Sequence, residues 1–160
     1  GYSQARYLLE RGHRRIACVT LIPEIEATQL RARGMRRAFQ EAGVAFDEAL
    51  ERRGMVGPVG QEVMVAYQVA MQVYAAAASL GLQVPQDVSV MGFDDLKLIS
   101  QTLCPALTTV ALPYFDIGRR AVEMTLAKEK ELDGGTEEGG NQLLRLHCPL
   151  VERESCRALE

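Results

Sequence analysis

The sequence predicts an α/β fold, a three-layer, doubly wound, mainly parallel sheet. Three observations carry that expectation. Short apolar runs suited to inner strands alternate with helical patterns, at roughly 25–35 residues per pair, the rhythm of βαβ units. The runs at 16–21 and 88–91 are mostly apolar rather than alternating, as strands covered on both faces are. The 160 residues, 48% hydrophobic and 24% charged, suffice for one domain with a real core.

Residues 2–11 read as a helix, because Tyr2, Ala5, Leu8 and Leu9 share one face. Gly12 is placed to cap it, and His13 follows, its imidazole positioned to tie the helix end to nearby backbone. The strand at 16–21 comes next. A second helix runs from about Thr28 to Ala42, with Leu30, Met35, Ala38, Phe39 and Ala42 as its apolar stripe and Gly43 as its stop. Residues 46–52 hold a short strand, and Gly54, Gly57, Pro58 and Gly60 make a loop. Residues 61–66 read as a third strand and 69–80 as an alanine-rich helix. Gly81 ends that helix, and Val88-Ser89-Val90-Met91 forms the central strand. Gly92 then turns the chain, and Asp94 and Asp95 appear at the strand's carboxyl end, the edge where open α/β sheets bind ligands. A short helix or loop at 96–103 is broken by Pro105. Residues 107–110 form another strand, and Pro113 opens a helix to about residue 128. A charged, glycine-rich loop and a last strand over 143–151 complete the chain.

Composition excludes several functions. A net charge of −3 leaves no basic footprint for nucleic acid. The arginines at 14–15 and 31–37 read as solvated helix surface. No run of apolar residues is long enough to span a membrane. The four cysteines lack paired spacing, which fits free thiols in a reducing cytoplasm. His13 and His147 have no metal-ligand spacing with them. No nucleophile–base set and no phosphate-binding glycine loop is present, so neither an enzyme nor a cofactor is expected.

The motifs, in order, resemble the LacI/GalR family of bacterial transcriptional regulators. Gly12-His13-Arg14-Arg15-Ile16-Ala17 is similar to that family's GHxxIA. Arg31-x-x-Gly34-x-x-x-Ala38-Phe39 is similar to its RxxGxxxAL helix. Gly81-Leu82-x-Val84-Pro85-x-Asp87-Val88-Ser89-Val90-x-Gly92-Phe93-Asp94-Asp95 resembles its GLxVPxDVSVxGFDD, Pro105-x-Leu107-Thr108-Thr109-Val110 its PxLTTV, and Leu150-Val151-x-Arg153-x-Ser155 its LVxRxS.

The resemblance implies one lobe of a periplasmic-binding-protein-like core, the C-terminal subdomain of an effector-binding unit. By it, residues 113–128 belong to the other lobe in a complete protein, and DNA is reached only through an N-terminal helix-turn-helix headpiece that lies outside this chain. Asp94 is expected to accept hydrogen bonds from a small polar effector, a sugar or nucleobase, and Arg31 to donate to it. Met71, Tyr74, Leu98 and Ile99 are expected at a homodimer interface. Two departures stand out. An Asn-Asp pair of the family, whose Asn contacts effector, falls on Ala66-Tyr67, and the 44–60 stretch is short. With one wall of a cleft, the chain alone is expected to hold effector weakly. A lobe of a sugar-transport binding protein and a ligand-free dimerisation module are the alternatives.

Overall fold

A computed structural model describes residues 1–21, 26–54, 62–133 and 144–159. The chain divides into two units, one of Gly1–Ala111 with Leu150–Glu160, the other of Leu112–Pro149.

In the first unit, helix α1 (Tyr2–Glu10) packs on helix α2 (Glu26–Glu41). Their buried residues Ala5, Leu9, Met35, Ala38 and Phe39 form the core, with Tyr2, Ile16, Cys18, Val44 and Phe46 around it. Phe39 meets Phe46 edge to face at 5.2 Å, a geometry that adds to the burial of both rings. Gly34 is what lets the helices approach: a Cβ there would lie 3.0 Å from the Tyr2 amide nitrogen. Leu30, placed in the stripe by its spacing, is instead 52% exposed. It lies on the first half of α2, which the core cluster does not reach.

Strand β1 (Cys18–Leu21) pairs in parallel with β2 (Glu51–Gly54), which follows a 3-10 turn at Glu48–Leu50. The side chain of Asp47 caps that turn by accepting from the Ala49 amide at 2.9 Å. Strand β3 (Met91–Asp94) pairs in parallel with β4 (Thr108–Ala111), and β4 pairs antiparallel with β5 (Leu150–Val151). The fold is α/β with parallel pairs, but the described strands form two small sheets rather than one.

Four expectations are corrected. The strand expected at 61–66 is helix: α3 runs unbroken over Glu62–Ser79. No glycine or proline interrupts that span, so the apolar 63–66 run extends the alanine-rich helix. The central strand lies further along the chain than 88–91, because the Val90 carbonyl and amide are taken by the C-terminal segment rather than by β4. Gly92 is therefore a strand residue, not a turn; a Cβ on it would come within 2.7 Å of the Leu107 side chain. The last strand is only Leu150–Val151. Between β3 and β4, the 96–103 segment holds one short helix, α4 (Lys97–Ser100). Residues 57, 58, 60 and 134–143 of the two glycine-rich loops lie outside the described residues.

The second unit is built on helix α5 (Tyr114–Asp133), longer than its apolar pattern suggests. Charged i,i+3 and i,i+4 pairs, Arg119 with Asp116 and Glu123 among them, line its surface. Phe115, Val122 and Leu126 are exposed on it.

Candidate functional site

The carboxyl end of β3 gathers the chemistry. Phe93 and Asp94 end the strand and Asp95 follows. Asp94 has φ 94° and Asp95 φ 55°. Two consecutive non-glycine residues in the left-handed region carry backbone strain of about 1–3 kcal/mol each, a cost that persists where surrounding contacts over-determine it.

Arg31 reaches this edge from α2. Its guanidinium carbon lies 4.0 Å from the centre of the Phe93 ring. Arginine stacks well because its planar cation matches the ring's negative face. The contact places the helix residue beside the one that precedes Asp94. Arg31 thus stands over Phe93, and Asp94 is the next residue at the same strand end. The Gln4 amide of α1 also donates to the Gly92 carbonyl at 2.7 Å, joining the first helix to the outer side of β3.

Asp95 faces a different partner. Its Oδ1 receives Arg153 Nη2 at 2.8 Å and the Ser100 hydroxyl at 2.7 Å, and the Arg153 and Asp95 side chains are 13% and 7% exposed. Arg153 Nη1 donates to the Leu107 carbonyl at 2.7 Å, and the Arg153 amide to Thr108 Oγ1 at 2.9 Å. Ser155 is fully buried; its hydroxyl donates to the Val90 carbonyl at 2.6 Å and accepts from the Thr108 amide at 2.8 Å. The C-terminal segment is therefore a clasp across β3 and β4. In the sequence, Arg153 and Ser155 stand out only as motif residues; the one signal for the Arg153 contact is its charge opposite to Asp95.

His13 does what its position suggested: Nε2 donates to the Arg157 carbonyl at 2.9 Å, tying the end of α1 to the C-terminal segment. Nearby, burial raises the Tyr7 phenol well above its ordinary range, and the Arg11 guanidinium sits 3.7 Å over its ring. Burial also pushes up the thiols of Cys18 and Cys156, while Cys104 is exposed.

Of the residues expected at an interface, Leu98 is 75% and Met71 41% exposed. Ile99 and Tyr74 are half-buried, and the Tyr74 hydroxyl donates to the Pro105 carbonyl at 2.9 Å. Tyr74 and Pro105 line a cavity of about 280 Å³ with Leu82, Gln83 and Cys104. Ala66 and Tyr67 lie in α3; their side chains are outside the described residues. No cluster of metal-ligating side chains occurs among the described residues, and none of their helices is long and apolar enough to cross a membrane.

A periplasmic binding protein-like domain profile matches residues 5–156. The transcriptional repressor CytR of Escherichia coli K12 is 30% identical over 174 residues, 99% of this chain and 49% of the repressor. The crystal structure of a LacI-family regulator from Rhizobium etli superposes with a TM-score of 0.71 at 33% identity, covering 98% of this chain and 61% of that one. The regulator CelR, solved in complex with cellobiose, is 27% identical with a TM-score of 0.73, covering 94% of this chain and 49% of its own. The chain spans about half the length of the curated relatives it matches. By sequence and fold, this chain belongs to the periplasmic binding protein-like domain family and is the effector-binding part of a LacI-family protein.

Proposed function

We propose that this chain senses a small polar effector, sugar-like in chemistry, for a bacterial transcriptional regulator that works in the cytoplasm. The reading rests on Arg31 stacked on Phe93 and on the strained Asp94 that follows Phe93 at the same strand end. A carboxylate that only accepts and a guanidinium that only donates suit a polyol, whose hydroxyls do both. A nucleobase offers the same mixture. The cellobiose held by CelR supports the sugar. Sensing requires reversible binding, so no catalytic group or cofactor is assigned.

In this reading, the β3 edge is one wall of the effector cleft, and the remainder of the parent's core supplies the other. Residues 113–128 are assigned to that other lobe, a division supported by the separation of Leu112–Pro149 as its own unit. Closing the cleft shifts the population between DNA-competent and incompetent states through a headpiece outside this chain, with a coupling of about 1–3 kcal/mol. Homodimerisation is assigned to Met71 and Tyr74 of α3 and Leu98 and Ile99 of α4, of which Met71 and Leu98 are exposed and Tyr74 and Ile99 half-buried.

The test is a nuclear magnetic resonance titration of the chain with ribose, cellobiose, adenosine and cytidine. Amide shifts at Arg31, Phe93 and Asp94, with a dissociation constant on the order of millimolar, are expected from one wall alone. No shift at these residues with any of the four compounds contradicts the site. Micromolar affinity contradicts the one-walled cleft.

A further inference from the structure

We propose that Arg153 is the positioning residue of the effector edge: acting through Asp95, it holds Asp94 in its left-handed conformation. The proposal rests on the reading of Asp94 as an effector contact.

The strain at Asp94 and Asp95 (φ 94° and 55°) needs an external restraint, because a non-glycine backbone left to itself leaves this region. The ladder holds Asp94 only as its last pair, opposite Ala111 of β4, and β3 ends there. A further restraint acts on its neighbour. Arg153 and Ser100 both hold Asp95 Oδ1, at 2.8 and 2.7 Å, so that carboxylate has a fixed direction.

Arg153 is itself fixed twice from the adjoining strand region, by the Leu107 carbonyl at 2.7 Å and by Thr108 Oγ1, which accepts from its amide at 2.9 Å. Thr108 is fully buried and stands opposite Met91 in the β3–β4 register. The chain of contacts therefore closes on itself. It runs from the β3 tip to Asp95, to Arg153, to the start of β4, and back to β3 through the ladder. Its side-chain links are part-buried, and each is a charge-assisted or hydroxyl hydrogen bond.

The experiment compares wild type with Arg153→Lys, Arg153→Gln and Asp95→Asn, without ligand. A strong intraresidue amide–Cα proton cross-peak at Asp94 marks positive φ. Wild type is expected to show it. Arg153→Gln is expected to lose it while the β4 amides stay protected from exchange, and Arg153→Lys is expected to retain part of it. If Arg153→Gln does not fold, Asp95→Asn supplies the same comparison. A wild-type cross-peak of the negative-φ kind, or one unchanged in Arg153→Gln or Asp95→Asn, overturns the proposal. Titration with cellobiose and cytidine then separates the two claims. If wild type shifts Asp94, a loss of about tenfold in affinity in Arg153→Gln supports positioning, and an unchanged affinity overturns it. If wild type binds neither compound but the cross-peak disappears in the variants, the effector reading fails for these compounds and Arg153 still sets the Asp94 backbone.

Discussion

Replacing Ser155 with alanine tests whether the C-terminal clasp holds the sheet. The hydroxyl is fully buried and makes two bonds, to the Val90 carbonyl and from the Thr108 amide. Alanine leaves Thr108 N–H without its 2.8 Å acceptor inside the protein, at about 1–3 kcal/mol. The Val90 carbonyl loses less, because the Cys156 thiol still donates to it at 3.2 Å. Together the loss is about 2–4 kcal/mol. At about 2–4 °C per kcal/mol for a chain of this size, Tm falls by roughly 5–15 °C. Urea unfolding followed by circular dichroism measures it, with the midpoint moving at constant slope. Ser89→Ala is the control: Ser89 Oγ accepts from the Arg157 amide at 3.2 Å in an exposed setting, so its loss is within about 0.5 kcal/mol. A Ser155→Ala variant as stable as Ser89→Ala would refute the clasp.

Other outcomes follow from the same contacts. Phe39→Ala empties the centre of the α1–α2 core and is expected to cost about 3–5 kcal/mol in urea unfolding. Alkaline pH separates the tyrosines: burial pushes Tyr74 up to about 12 and raises Tyr7 as well. Their phenols stay neutral in the folded state after an unfolded tyrosine has ionised, so their contribution to stability is complete below pH 10. It is lost as pH rises through the folded Tyr74 value of about 12, and ultraviolet absorbance with parallel unfolding curves reads both effects. A thiol reagent such as Ellman's is expected to label exposed Cys104 at least about tenfold faster than Cys18 and Cys156, whose burial raises their pKa. Peptide mapping assigns the order.

Much of the scaffold was legible because its signals are local. The faces of α1 and α2, the glycine stops at Gly12 and Gly43, and the β1 run all follow from neighbours within a few residues. What was not legible depends on distant partners. The strand expected at 46–52 begins only at Glu51, after the 3-10 turn: β2 is Glu51-Arg52-Arg53-Gly54, with no β-branched or aromatic residue, and it is a strand because its backbone aligns with β1. The apolar 63–66 run is ambiguous by itself, and only the unbroken length of α3 resolves it. β3 lies later in the chain than its apolar run because Ser155, far along the chain, takes the Val90 carbonyl. At the candidate site, Asp94 and Arg31 were identified from motifs, but the separate duties of the two aspartates were not. Adjacent residues at a strand end point apart, and only the fold reveals that Asp95 is turned to Arg153.

The central claim is that Asp94 and Arg31 form one polar edge that takes the effector. The most direct measurement is the affinity of Asp94→Asn, Arg31→Met and the double variant for whichever compound of the sugar and nucleoside panel wild type binds. The account predicts that each single change weakens binding about tenfold or more, for loss of a charged hydrogen bond. The double variant should lose less than the sum of the two, because the pair contacts one ligand. Wild-type affinity in Asp94→Asn would contradict the account.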